Sequence, residues 1–233
     1  VQKTTNILHN LYEVPKRKLK GPVVLDLGCS VGYESLKMFQ VFCPSKLISV
    51  DPFIENTNRT QDLIIGGSKT RIWTTQCCAV GERRGEKNFY FSFSPHTNNF
   101  PCGGINPPPA ESKEEFLTRS VEVKRLPDIH PKPDILKVDI EGQEWLIWDQ
   151  LLGMPTIKIM ILELHGNKDT ELNQRSWSKK ILQLKRYFTI RWFVYAQSQT
   201  AGYDWATETG EHIFNGKEGN VCHIVCERKY INE

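Results

Sequence analysis

The sequence has no apolar run approaching the roughly 18 residues that a membrane-spanning helix requires. Its start, "VQKTTNILHN", lacks the apolar core of a secretory signal. Internal repeats are absent, and the only low-complexity piece is "NPPP", Asn106 to Pro109. A charge excess is missing too: 30 Lys and Arg stand against 27 Asp and Glu, scattered except for "KRKLK" at Lys16 to Lys20. That run reads as a solvated approach to the first strand, and no nucleic-acid partner is expected. Cysteines spaced as zinc ligands are also lacking. The seven cysteines are an odd number, so a disulfide scheme leaves at least one over. Cys222 and Cys226 lie four apart in a predicted strand, about 13 Å along it, and Cys77 and Cys78 point to opposite faces. All seven are read as small core or loop residues in a reducing, cytoplasmic compartment. The chain begins without Met, which is compatible with a module of a larger protein.

What is present fits one α/β domain over 1–233: a hydrophobic content of 39% in 233 residues suffices for a core. Short β-rich runs alternate with helix-like segments, which predicts a mostly parallel sheet. Strands are predicted at Val23–Leu27, Leu47–Asp51, Arg71–Gln76, Asp134–Asp139, Ile157–Glu163, Thr189–Tyr195 and Val221–Glu227. Helices are predicted at Val31–Phe42, Asn56–Ile65, Gln143–Leu152 and Leu172–Arg186, after a helical lead-in over 1–22. "AVGERRGEKNFYFSFS" reads as an inserted hairpin, Ala79 to Ser94, with "GERRG" as its turn. Two connections, 94–118 and 197–220, exceed the usual loop length and are expected to cover an active site. The second carries Tyr203, Trp205 and His212, the first two being able to stack on a sugar face or to pack at the surface.

"GCSVG", Gly28 to Gly32, matches the G-x-S-x-G of a hydrolase nucleophile elbow letter for letter. Topology argues against that reading, because the elbow takes an oxyanion donor from an earlier strand–helix loop, and only a helix's worth of chain precedes Val23. The dinucleotide fingerprint fails as well, since Ser30 and Tyr33 occupy its second and third glycine positions. What fits is a strand ending in Asp26, a tight turn with Gly28 and Gly32, and a helix starting at once. The second strand ends in "ISVDPF", placing Asp51 where a carboxylate accepts both ribose hydroxyls. Together these point to an adenosine cofactor.

"LDLGCSVGYES", "SVDPF", "CCAVGERRGEKNFYF" and above all "DILKVDIEGQEWLIWDQLLG" followed by "IMILELHG" resemble the FkbM family of S-adenosylmethionine-dependent methyltransferases, from about Val23 to Gly166. One departure is Ser30, where the family often has Asn. The resemblance implies the Rossmann-like seven-stranded class I methyltransferase fold, a mostly parallel sheet with an antiparallel last strand and helices on both faces. It also implies S-adenosylmethionine as cofactor and a hydroxyl acceptor, most often on a sugar of a glycan or glycosylated metabolite. The implied cofactor-binding set is Asp26, Gly28, Cys29, Ser30, Gly32, Asp51, Pro52, Cys78, Ala79 and Asp139.

Methyl transfer to an alcohol needs in-line alignment, exclusion of water and a base for the hydroxyl proton. The candidates close the fourth and fifth strands: Asp139, Glu141, Glu163 and His165. Asp139 either binds the amino end of the cofactor or acts as base, and Glu141 either caps the following helix or meets substrate. Glu163 orients a neighbour. His165 is the first choice as base because its ordinary pKa is near neutral, a structural role being the alternative. No spacing demands a metal, although Asp139, Glu141 and Glu163 offer the oxygen ligands that suit a divalent cation. Two other readings remain: an amino-group methyltransferase acting on protein or nucleic acid, for which "NPPP" has the wrong fourth residue in the wrong place, and a non-catalytic cofactor-binding scaffold. Oligomeric state is not legible.

Overall fold

The computed structural model describes residues 11–13, 15, 18–65, 71–93, 101–104, 116–165, 174–199, 202–207 and 221–229. Strand β1 (Val23–Leu27) is buried on both faces, the pattern of a central strand. It pairs in parallel with β2 (Lys46–Asp51) on one side and β8 (Ile135–Val138) on the other. Beyond β2 lies β3 (Trp73–Cys77), and beyond β8 lies β9 (Ile159–His165), both parallel. Then follow β12 (Val221–Arg228), antiparallel to β9, and β10 (Phe188–Gln199), antiparallel to β12. These seven strands have the expected arrangement, with an antiparallel last strand. An eighth, β11 (Gly202–Thr207), extends the edge by pairing antiparallel with β10.

Side chains alternate between the faces of this sheet. Leu25, Leu27, Ile48, Val50, Leu136, Val138, Met160 and Leu162 share one core with α4 (Trp148–Gly153) and α5 (Gln174–Tyr187), through Trp148, Leu151, Ile181 and Leu184. Val24, Leu47, Ile135, Ile159 and Ile161 share the other with α1 (Tyr33–Phe42) and α2 (Ile54–Ile65), through Met38 and Ile64. Helices therefore cover both faces. Cys222 and Cys226 lie in the first core, and the six cysteines with described side chains are all free.

The chain departs from expectation between β3 and β8. The predicted hairpin over Ala79–Ser94 is instead part of a second sheet. Its strands β4 (Ala79–Val80) and β5 (Gly85–Phe93) are not neighbours, because β7 (Leu117–Lys124) lies between them; β6 (Pro101–Gly104) completes the order β4-β7-β5-β6. The signal for β7 was in "VEV": Val121 and Val123 turn inward onto Phe53, Phe89 and Phe91, with exposed Glu122 between them. Thus the connection 94–118 contains a strand and the start of another, and 197–220 holds the end of β10 and all of β11. Tyr203 and Trp205 lie on β11. The "NPPP" run and His212 lie outside the described residues. The expected lead-in is described at a 3-10 turn, Leu11–Glu13, and at 15 and 18–22. A short helix α3 (Leu126–Ile129) leads into β8.

The helix predicted over Gln143–Leu152 begins only at Trp148. Glu144, not Glu141, closes the preceding turn: its Oε1 accepts the N–H groups of Ile140 (3.0 Å) and Gly142 (3.2 Å). Glu141 has a φ of +54° and Gly142 of +89°, so the chain reverses sharply there.

Candidate active site

Chain order reverses at β1, whose neighbours β2 and β8 leave in opposite directions, and in open α/β sheets a crevice forms at such a point. Here it is a cavity of about 220 Å³ lined by residues that include Gly28, Ser30, Asp51, Asn56, Asp139 and Glu141. Pro52, Cys78 and Ala79 also line it, whereas Asp26, Cys29 and Gly32 do not. The second sheet contributes Phe89, Pro101 and Gly103 to the wall.

Each turn has its own reason. Gly28 has a φ of +76°, and a Cβ there would stand 1.6 Å from the Asp139 carbonyl oxygen. Its glycine is demanded by the end of β8 crossing above it. Gly32 (φ +84°) faces the Thr60 side chain in the same way, at 2.7 Å. These close approaches are to the protein's own chain. Ser30 is held through its backbone: its N–H donates to Asp51 Oδ2 (3.0 Å) and its carbonyl accepts from Thr60 Oγ1 (3.2 Å).

Asp51 is buried at the end of β2. Besides Ser30, it accepts hydrogen bonds from the Phe53 N–H (3.0 Å) and Asn56 Nδ2 (2.9 Å), both on Oδ1. Three of roughly four lone-pair sites are therefore used. Burial pushes its pKa up to about 7 even against these donors. Asn56, which sequence reasoning missed, is fixed by a second bond from Nδ2 to the Pro101 carbonyl (3.1 Å), while its Oδ1 has no partner among the described residues.

Asp26 lies beneath the cavity. Its Oδ2 accepts from Ser35 Oγ, which itself accepts from Ser49 Oγ (2.8 Å), and Trp73 Nε1 donates to Ser49 Oγ (2.7 Å). Beside it is Lys137, a second residue the sequence reading passed over. Buried on β8, its Nζ lies 3.6 Å from Asp26, 2.9 Å from Glu34 and 3.2 Å from Asp139, and donates to the Gly28 carbonyl (3.1 Å). Burial opposes the ammonium charge, but Asp139, Glu34 and Asp26 outweigh it and hold the lysine pKa well above its ordinary value. For Asp139 burial acts upward, yet Lys137 and His165 bring it below the usual carboxylate range.

Past the cavity, β9 ends in a cluster that joins all four catalytic candidates. His165 Nδ1 is 3.2 Å from the buried Glu144 carboxylate, and Nε2 is 3.6 Å from Glu141 and 3.5 Å from Glu163. Burial disfavours the imidazolium, but Glu144, Glu141 and Glu163 together hold the pKa well above its ordinary value. An imidazole in that state donates at neutral pH, which weakens the argument for His165 as base from its ordinary pKa. Glu163 is pushed up by burial and by Asp139. It also faces His223, paired across from it on β12 with Nδ1 3.5 Å away, whose pKa burial lowers to about 4. His223 was not anticipated, because nothing in the sequence pairs β12 with β9.

No family model and no curated protein matches this sequence. Solved structures do resemble it. The methyltransferase FkbM from Methylobacillus flagellatus has 13% identity and a TM-score of 0.46, over 88% of this chain and 43% of that one, so this chain spans less than half its length. A putative tRNA (m1A22) methyltransferase of Streptococcus pneumoniae, in complex with S-adenosyl-L-methionine, has 10% identity and a TM-score of 0.48, over 96% and 74%. A dimethyladenosine transferase of Plasmodium falciparum has 14% identity and a TM-score of 0.50, over 96% and 62%. With that likeness and its strand order, this chain has the methyltransferase fold.

Proposed function

We propose that the protein is an S-adenosylmethionine-dependent methyltransferase that methylates a hydroxyl, on a sugar of a glycan or glycosylated metabolite. The observation that carries the reading is the cavity at the chain reversal, bounded by Asp51 at the end of β2 and Asp139 at the end of β8. The residues fit a nucleoside. Asp51 keeps one acceptor site, and the Oδ1 of Asn56 in the same wall, which has no partner among the described residues, supplies another, so a ribose diol meets two acceptors from two side chains and not one. The apolar wall of Val80, Phe53 and Phe89 suits a purine ring. When bound, the cofactor supplies an electrophilic methyl group.

The chain's own residues then have separable tasks. Lys137 fixes Asp139 as an anion facing the cavity, and Trp145, donating from Nε1 to the His165 carbonyl (2.8 Å), holds the end of β9 beside it. Asp139, Glu141, Glu163 and His165 surround the place of the acceptor, and the hydroxyl proton passes into this group. Its carboxylates accept hydrogen bonds from sugar hydroxyls and repel a phosphodiester backbone, which favours a sugar over a nucleic acid.

The test is mass spectrometry of products after incubating a glycan-acceptor panel, with RNA and peptide controls, with cofactor carrying a labelled methyl. The reading expects a labelled O-methyl on a sugar. Label only on a nucleobase or an amino group would replace it.

A further inference from the structure

The side-chain cluster at the ends of β8 and β9 has the composition and convergence of a metal centre. We infer that Asp139, Glu141, Glu163 and His165 bind a divalent cation of the manganese type. One ligand atom from each of Asp139, Glu141 and His165 falls within 4.8 Å of the others, and His165 Nε2 is 3.6 Å from Glu141 and 3.5 Å from Glu163. Donors held about 2.1 Å from one ion stand roughly 3 to 3.5 Å apart at cis or tetrahedral angles. The His165 contacts with Glu141 and Glu163 are close to that already, and Asp139 lies within 4.8 Å of Glu141 and His165. An oxygen-rich set with one imidazole suits manganese better than zinc or calcium.

A second feature points to a ligand beside Asp139 and Glu141, the two members of the cluster that line the cavity. Gln143 is 1% exposed and lines the cavity with Asp139 and Glu141, yet neither its amide nitrogen nor its oxygen has a partner among the described residues. Buried amides are rarely left so, and the water shell of a bound ion offers both a donor and an acceptor. Glu144 adds the outer support common at metal-bound histidines: with Nδ1 donating to it, a cation would take the place of the proton on Nε2, the nitrogen that faces Glu141 and Glu163.

The catalytic meaning rests on the proposed function: a cation here would acidify an acceptor hydroxyl and orient it toward the methyl. The binding itself does not rest on it. The probe is Mn²⁺ alone, titrated into metal-free protein and followed by loss of the free-ion electron paramagnetic resonance signal. One site per chain is expected, weakened at least tenfold by Glu141→Gln and by Glu163→Gln. Glu141 is half exposed, so its variant keeps the fold, which circular dichroism checks; the test therefore stands even where Glu163→Gln unfolds. No saturable Mn²⁺ binding, or equal binding by wild type and Glu141→Gln, would overturn the inference. S-adenosylhomocysteine titrated in parallel separates the two ideas: cofactor binding without Mn²⁺ binding removes only the metal site, and the converse removes only the methyltransferase reading.

Discussion

Burial pushes the Asp51 carboxyl up to about 7 while three donors already occupy it, so its proton is lost near physiological pH. Two consequences follow in opposite directions. In the free protein the folded state holds this proton to about 7, whereas the unfolded chain releases it near the ordinary carboxylate value. This contribution to stability is present below about 4, declines as pH rises to about 7, and changes little above. Ribose hydroxyls, by contrast, donate to the ionised form, so cofactor affinity rises with pH. Titration calorimetry should show S-adenosylhomocysteine binding tightening up to tenfold per unit below about 7 and levelling off above it, a slope absent in Asp51→Asn. Lys137 makes a sharper stability prediction, because it is the common cation of three carboxylates. Lys137→Met should cost about 3–5 kcal/mol, as expected when a buried ion pair loses one partner; an unchanged denaturant midpoint would mean that Asp26 and Asp139 are neutral. Asp51 was legible from its place after a β-run. Lys137 was not, since a lone lysine in "DILKVDIEG" reads as solvated until β1 and α1 are packed against it.

The turn after β1 and the turn after β8 are one construction, for the end of β8 passes over Gly28 so closely that no side chain fits. Gly28→Ala should prevent native folding, seen as loss of the cooperative thermal transition. Gly153→Ala, with open space around it at the end of α4, should be neutral or stabilising by about 0.5–1 kcal/mol. The second sheet is fastened to α2 by Arg119 of β7, which forms two hydrogen bonds with Glu55 (2.7 and 2.8 Å) and lies over the rings of Phe53 and Phe91. Arg119→Ala should therefore raise amide exchange in β5 and β7 while leaving β1 and β8 protected; uniform change would mean that the two sheets open together. Seven of the main-sheet strands were legible as short β-rich runs alternating with helix-like segments, whereas β11 fell within what reads as a long connection. The second sheet was not, because β5 meets β7 only across the long connection that follows it, as in the pairing of Phe91 with Leu117, and a local pattern then looks like a hairpin.

At the scale of the molecule, strand order decides where chemistry is possible. Five parallel strands bring the ends of β1, β2, β3, β8 and β9 to one edge, and the chain reversal at β1 opens the cavity there. Among the described residues no helix is long and apolar enough to cross a membrane. The sequence reading reached this edge from residues that end strands, such as Asp51, Asp139 and Glu163. It missed Asn56 and His223, whose neighbours lie on other elements. Calorimetry with S-adenosylhomocysteine decides whether this cavity holds S-adenosylmethionine. One molecule should bind per chain, with Asp51→Ala weakening binding by about 1–3 kcal/mol for the lost acceptor. Binding of NAD in place of S-adenosylhomocysteine, or equal affinity in wild type and Asp51→Ala, would contradict it.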